Sequence, residues 1–210
     1  MLDLYTWATP NGRKASIMLE EIGLPYKVHP VNLGRQEQFA PAFLEIAPNN
    51  KIPAIVDHDA PGRLSVFESG AILVYLAEKS GKLLASRGAE RYKALEWLNW
   101  QMGGIGPMFG QLGFFAIRST EKSALAIERF TEESRRLLAV IDRRLQQSAY
   151  LAGDNYSIAD VAAYPWMLAG KTFLGSVLGP DMEAMPSVNR WLTTVGEREA
   201  VKRGMAVPKV

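Results

Sequence analysis

Asn49-Asn50-Lys51-Ile52-Pro53-Ala54-Ile55-Val56-Asp57, followed after a Pro61-Gly62 turn by Leu64-Ser65-Val66-Phe67-Glu68-Ser69-Gly70-Ala71-Ile72, is the stretch on which the fold turns. Ala54 to Val56 is a short apolar run with β-branched residues, and Leu64 to Phe67 alternates apolar and polar side chains. The spacing therefore predicts two strands joined as a hairpin. Ser69 then suits an N-cap, with Ile72, Leu73 and Leu76 at helical spacing behind it. A helix that starts directly after a strand offers unpaired N–H groups and the positive end of its dipole, a ready site for a carboxylate or phosphate. At the hairpin's other end, Pro53 can donate no ladder hydrogen bond, which leaves the backbone of Ile52 to face a ligand.

Working outward, Leu2 to Trp7 alternates as a strand and Ala8-Thr9-Pro10-Asn11-Gly12 is a turn. Ala15, Met18, Leu19 and Ile22 fall on one helical face that Gly23 ends, with Pro25 beyond it. Tyr26 to Val31 reads as a second strand, with Pro30 suggesting an edge. Phe39, Phe43, Leu44 and Ile46 suggest a short helix that accommodates Pro41 near its start and closes before Pro48. The order β-α-β-α-β-β-α implies a parallel pair with a right-handed crossover, extended by the antiparallel hairpin. This α/β domain is expected over 1–81.

Beyond Ser80-Gly81 the strand signals stop, and 88–210 reads as an all-helical domain. Tyr92 to Trp100 begins a long helix, with a kink or change of direction expected at Gly103-Gly104-Ile105-Gly106-Pro107. That glycine cluster lacks a phosphate-loop lysine and follows no strand, so it reads as helix packing or a dimer surface. Ile127 to Leu145 defines a long amphipathic helix ending near Ser148. Ser157 and Asp160 are spaced as a capping box, and the continuation through Tyr164, Trp166 and Leu168 reads as fully buried. Pro186 opens a last helix through Val188, Trp191, Leu192 and Val195.

Composition narrows the chemistry. The 210 residues are 48% hydrophobic, enough for a buried core, and 24 basic against 22 acidic residues give a formal net charge of +2. These charges are interspersed, which points away from nucleic acid and membrane surfaces as partners. The first residues lack signal-peptide organisation and no apolar run reaches the ~18 residues of a membrane span, so a cytoplasmic protein is expected. There is no cysteine. Disulfide frameworks, thiolate metal sites and cysteine nucleophiles are thereby excluded, and any thiol chemistry needs a thiol brought in. His29 and His58, far apart in sequence, read as structural, so no metal is expected.

Three places carry candidate chemistry. Glu68-Ser69 is either an ordinary capped helix or an amino-acid clamp in which Ser69 and the helix N-terminus bind an α-carboxylate and Glu68 pairs with the adjacent ammonium. Lys51 is either a solvated charge or the partner of a second carboxylate on an extended ligand. Thr9 and Asn11, in the loop after the first strand, serve either as turn and cap residues or as hydrogen-bond donors that lower the pKa of a ligand thiol, whose thiolate is the reactive form.

Taken together, Asn49 to Asp57, Phe67 to Ile72 and Asn155-Tyr156-Ser157-Ile158-Ala159-Asp160 resemble three signatures of the cytosolic glutathione transferases. Thr9-Pro10-Asn11-Gly12 and Trp100 to Met108 are similar to its bacterial nu class and the fungal nitrogen-regulator relatives of that class. The resemblance implies an α/β thioredoxin-like N-terminal domain, an all-α C-terminal domain and a homodimer. It also implies that Ile52, before a cis Pro53, pairs its backbone with the cysteinyl part of glutathione. Glu68 and Ser69 would hold the γ-glutamyl end, Lys51 and Gln38 the glycyl end, and Thr9 and Asn11 would lie beside the sulfur. Arg129 would reach the partner subunit's site. Tyr5 stands early on its strand, so the loop offers Thr9 in place of the tyrosine, serine or cysteine of other classes.

The function expected on this basis is glutathione-dependent disulfide-bond reduction, with one oxidised or two reduced glutathiones as co-substrate. Conjugation of glutathione to electrophiles, or reduction of organic peroxides, is the enzymatic alternative. A non-catalytic regulatory or interaction module is the third, and the Lys51, Ile52-Pro53 and Glu68-Ser69 set argues against it.

Overall fold

A computed structural model describes residues 1–209 of the chain, which divides into two compact units. One comprises residues 1–86 together with 197–209, the other Arg87–Gly196.

The first unit is built on a four-stranded mixed sheet. Its strands β1 (Leu2–Thr6), β2 (Tyr26–Pro30), β3 (Ala54–Asp57) and β4 (Leu64–Phe67) lie in the order β2-β1-β3-β4. β1 and β2 run parallel, joined by helix α1 (Pro10–Ile22), while β3 pairs antiparallel with both β1 and β4. β1 and β3 are the buried inner strands, and β4 is an exposed edge carrying alternating side chains. α1 starts at Pro10 under a Thr9 cap, whose hydroxyl accepts from Gly12 N at 3.1 Å, and it ends on Gly23 at φ 73°. The expected short helix between β2 and β3 is subdivided. Two 3-10 turns, Leu33–Arg35 and Glu37–Phe39, precede a one-turn helix α2 (Pro41–Leu44) that Pro41 opens. Pro30 fills the last place of β2, where its missing N–H disturbs no inner ladder.

Helix α3 (Ser69–Ser80) follows β4 directly, but the cap lies one residue earlier than the sequence spacing predicts. Glu68 is the N-cap, at φ 68° and ψ 116°, and Ser69 is the first helical residue. The reason is local. The chain turns from an edge strand into a helix within one residue, and the unusual backbone of Glu68 makes that turn, so the serine hydroxyl is aimed elsewhere. The unit's last piece, α10 (Glu199–Met205), packs on α1. There Arg198 chelates Glu21 at 2.7 and 2.8 Å, and Ser16 Oγ donates to Gly204 O at 2.7 Å. Residues 197–209 therefore group with the sheet, whereas the sequence reading ran the helical domain to the end of the chain.

The second unit is all helical: α4 (Ala89–Trp100), α5 (Gly106–Gly113), α6 (Ala124–Gln147), α7 (Ile158–Lys171), α8 (Gly175–Glu183) and α9 (Pro186–Gly196). The interruption expected at Gly103 to Pro107 takes the form of a π-helical turn, Gln101–Ile105, through which α4 runs into α5. Part of the glycine cluster serves packing, since a methyl on Gly104 would press on Leu137 of α6 at 3.2 Å. The capping box at Ser157 and Asp160 is present, with Asp160 accepting from the amides of Leu151 (2.9 Å) and Ser157 (3.0 Å) and from Trp191 Nε1 (2.9 Å). α7 is less buried than its apolar sequence suggests, because Trp166 and Leu168 are partly exposed. No helix among the described residues is long and apolar enough to cross a membrane.

Candidate functional site

The strand directions gather the candidate residues. β1 points its C-terminal end toward the Thr9 loop; β3 is antiparallel to it, so its N-terminal end, preceded by Ile52-Pro53, lies at the same edge. β4 reverses again and delivers Glu68-Ser69 to that edge from its C-terminal end. The register makes this specific, with Tyr5 opposite Ala54 and Ala54 opposite Phe67. Three loops far apart in sequence thus meet at one end of one sheet, where open sheets place their ligands.

Each member has a defined setting. The Ile52-Pro53 peptide is cis, as the resemblance implies. Ile52 is 9% exposed and packs in a cluster with Val31, Phe43, Ala47 and Ala54, against which Tyr5 and Trp7 also lie. Its side chain is anchored from beneath while the backbone runs along the sheet edge. Lys51 is exposed beside it. Thr9 and Asn11 are half-buried, and since the Thr9 hydroxyl accepts from Gly12 N, its own hydrogen is left to donate outward. Gly12 allows this tight loop, for a Cβ there would collide with the carbonyl of Trp7. Glu68 is exposed, and one carboxylate oxygen accepts from Asn49 Nδ2 at 3.2 Å. Ser69, 4% exposed, sits in the first turn of α3, where anions are favoured. Gln38, on the 3-10 turn Glu37–Phe39, has its side-chain oxygen buried without a hydrogen-bond partner among the described residues. Arg129 belongs to the other unit. It projects from α6 with its side chain 64% exposed, 3.9 Å from Glu133.

Two constellations escaped the sequence reading. Lys14, fully buried on α1, points its ammonium at Ser69 Oγ, 3.4 Å away. Burial pushes its pKa down to about 7, against the pull of nearby Glu68. A signal existed, because Lys14 precedes Ile17 by three residues and Met18 by four and so shares their apolar face. The second is a polar cluster across the sheet, where Asp3 on β1 lies 2.8 Å from His58 Nε2 and 3.2 Å from His29 Nε2. Burial would raise the Asp3 pKa, but the hydrogen bonds to His58 and His29 prevail and lower it. The two histidines share a partner that sequence distance concealed. Among the described residues, no group of three or more histidines and carboxylates is arranged to hold a metal.

Comparison with known proteins agrees with this architecture along the whole chain. The N-terminal domain of glutathione S-transferases matches residues 8–79, and the C-terminal domain of the same family matches 105–199. The disulfide-bond oxidoreductase YfcG of Escherichia coli is 46% identical over 208 residues, covering 98% of this chain and 94% of that protein. The chain belongs to the glutathione S-transferase family. A second disulfide-bond oxidoreductase of Escherichia coli, YghU, is 43% identical, with 98% of this chain and 74% of that protein covered. Among solved structures, a glutathione transferase family member of Pseudomonas fluorescens with two glutathione bound superposes with a TM-score of 0.94 at 48% identity, covering 99% of this chain and 93% of that one. A glutathione transferase of Pseudomonas putida with one glutathione disulfide bound per subunit also gives 0.94, at 46% identity and 99% and 91% coverage. The α/β plus all-α architecture is therefore that of this family of transferases.

Proposed function

We propose that this glutathione S-transferase family member is a glutathione-dependent disulfide-bond reductase. The observation that carries the reading is the meeting of a hydroxyl-bearing loop, the Ile52-cis-Pro53 edge and the Glu68-Ser69 turn at one sheet end, in a chain with no cysteine. The two oxidoreductase relatives and the structures that hold two glutathiones or one glutathione disulfide support the same reading.

In this reading glutathione lies extended along the edge. The backbone of Ile52 pairs with the cysteinyl residue as an added strand would, Ser69 and the first turn of α3 hold the γ-glutamyl carboxylate, and Glu68 holds its ammonium. Lys51 and Gln38 serve the glycyl end, whose carboxylate accepts from the Lys51 ammonium and the Gln38 amide nitrogen. Thr9 donates its hydroxyl hydrogen to the sulfur, with Asn11 beside it, and so stabilises a thiolate. The thiolate of one glutathione attacks a disulfide sulfur of the substrate; the S–S bond breaks and the departing thiolate takes a proton. A second glutathione thiolate then attacks the glutathione sulfur of the mixed disulfide, releasing the second substrate thiol. The products are two thiols and one glutathione disulfide, and the two electrons come from the two glutathione thiols. The protein supplies position and electrostatics, so its lack of cysteine is no obstacle. The enzyme works as a homodimer in the cytoplasm, with the α/β unit holding glutathione and the helical unit forming the second-substrate side. Arg129 extends toward the partner subunit's site.

The experiment is a split between binding and turnover. Glu68→Ala and Ser69→Ala are expected to weaken glutathione binding by calorimetry about ten- to a hundredfold, the size of a lost charge-assisted hydrogen bond. Thr9→Ala is expected to keep that affinity and lose most of its turnover with a small dialkyl disulfide. Wild-type affinity in both clamp variants would remove the assignment.

A further inference from the structure

We infer that Lys14 is a positioning residue for the γ-glutamyl carboxylate, a buried cation that acts through Ser69 and takes up a proton when glutathione binds. The inference rests on the glutathione reading above and adds to it a group that lies behind the clamp. Lys14 is 1% exposed, and its Nζ lies 3.4 Å from Ser69 Oγ, in donor position. Ser69 begins α3, a helix of 12 residues whose first turn carries partial positive charge.

A lysine is a costly choice for that place. Burial and a helix N-terminus both disfavour an ammonium, and a packing role alone would be filled by methionine or leucine at lower cost. Most of the charged groups on the elements packed around it are engaged with one another. On α1 itself, Glu20 and Glu21 are taken by Arg203 and Arg198. On β1, Asp3 is held by His29 and His58, and on α10, Lys202 pairs with Glu199. From α3 the exposed Glu68 acts on Lys14 electrostatically. This partial compensation is consistent with a pKa lowered to about 7, where the ammonium is half-populated at neutral pH.

A ligand carboxylate changes the balance. Accepting from Ser69 Oγ, it would stand within about 6 Å of Lys14 Nζ, where unit charges inside a protein alter an equilibrium constant by about ten- to a hundredfold. The ligand ammonium would sit farther off, on the solvent side of Glu68. The carboxylate therefore favours protonated Lys14, and protonated Lys14 favours the carboxylate by the same factor.

Titration calorimetry with S-methylglutathione, whose sulfur has no proton to lose, tests this at pH 7.5 in two buffers of different ionisation enthalpy. The wild type is expected to take up a fraction of one proton. Lys14→Met should take up none and bind about tenfold more weakly, while Lys14→Arg, always charged, should bind with near wild-type affinity and no proton uptake. The wild-type proton count needs no variant, so it decides the matter even if a substitution fails to fold. Binding by the wild type without proton uptake would overturn the role of Lys14 and leave the glutathione site standing. No binding at all by the wild type would overturn the glutathione reading and this inference with it.

Discussion

Asp57, at the end of β3, shows how single residues hold the sheet's far side. Its carboxylate is buried, yet it accepts from Tyr75 at 2.5 Å, from Lys79 at 2.7 Å and from the amide of Asp59 at 2.9 Å. Burial alone would raise its pKa, but the bonds from Lys79, Tyr75 and Asp59 win and bring it down to about 2 from 3.8. A carboxyl depressed in the folded state stabilises above its unfolded pKa, and the contribution is lost as pH falls through the folded one. Asp57→Asn is therefore expected to cost about 2 kcal/mol at neutral pH, with the difference from wild type closing between about pH 4 and pH 2 in urea melts. Lys14 gives a slope of the same sign in a higher pH window, although here it is the lifting of a burial penalty and not the gain of a bond. Its pKa falls on folding, so above about pH 7 the unfolded chain binds a proton the folded chain has released, and stability rises with pH toward 10. Lys14→Met should abolish that rise in the same melts. The Asp57 effect was not legible from residue order, since Asp57 and Tyr75 are 18 positions apart. Lys14, in contrast, left a trace, a lysine on an apolar helical face.

Elements behave as their local chemistry dictates where one residue type leaves little choice, and depart from it where packing decides. The Thr9 cap, the Gly23 stop and the Ser157–Asp160 box were legible because each needs only neighbours in sequence. The shift of the α3 cap from Ser69 to Glu68, and the partial exposure of Trp166 on α7, depend on what surrounds them and were not. Helices α8 and α10 were missed because their apolar residues are few. α8 carries an interior Pro180, and α10 gains its place from partners 183 and 188 residues distant, Glu20 and Ser16. Two predictions belong here. A methyl on Gly204 would approach Ile17 Cα to 2.5 Å, so Gly204→Ala should lift α10 from α1 and lower the thermal midpoint, at a cost of about 1–3 kcal/mol. In the helical unit, Asp160→Ala strands the buried donors of Leu151 and Trp191. It is expected to destabilise by about 3 kcal/mol or more, against about 1 for Ser157→Ala, measured by urea unfolding followed through tryptophan fluorescence.

At the scale of the molecule, the proposed glutathione site draws on three loops of one α/β unit, and both thiols of the proposed reaction arrive with the ligand. The order of elements, the cis Ile52-Pro53 edge and the family were legible because the motifs that carry them are local. The meeting of the loops at one sheet end follows from strand direction, which the β-α-β opening and the hairpin already imply. What no motif discloses is which reaction the held thiolate performs, since conjugation and disulfide exchange begin from the same activated sulfur. That choice is measurable on the wild-type protein. Purified enzyme with reduced glutathione should reduce a small dialkyl disulfide, forming one glutathione disulfide for every two thiols released, and should conjugate a chlorinated aromatic electrophile far more slowly. Rapid conjugation with negligible disulfide reduction would contradict the account.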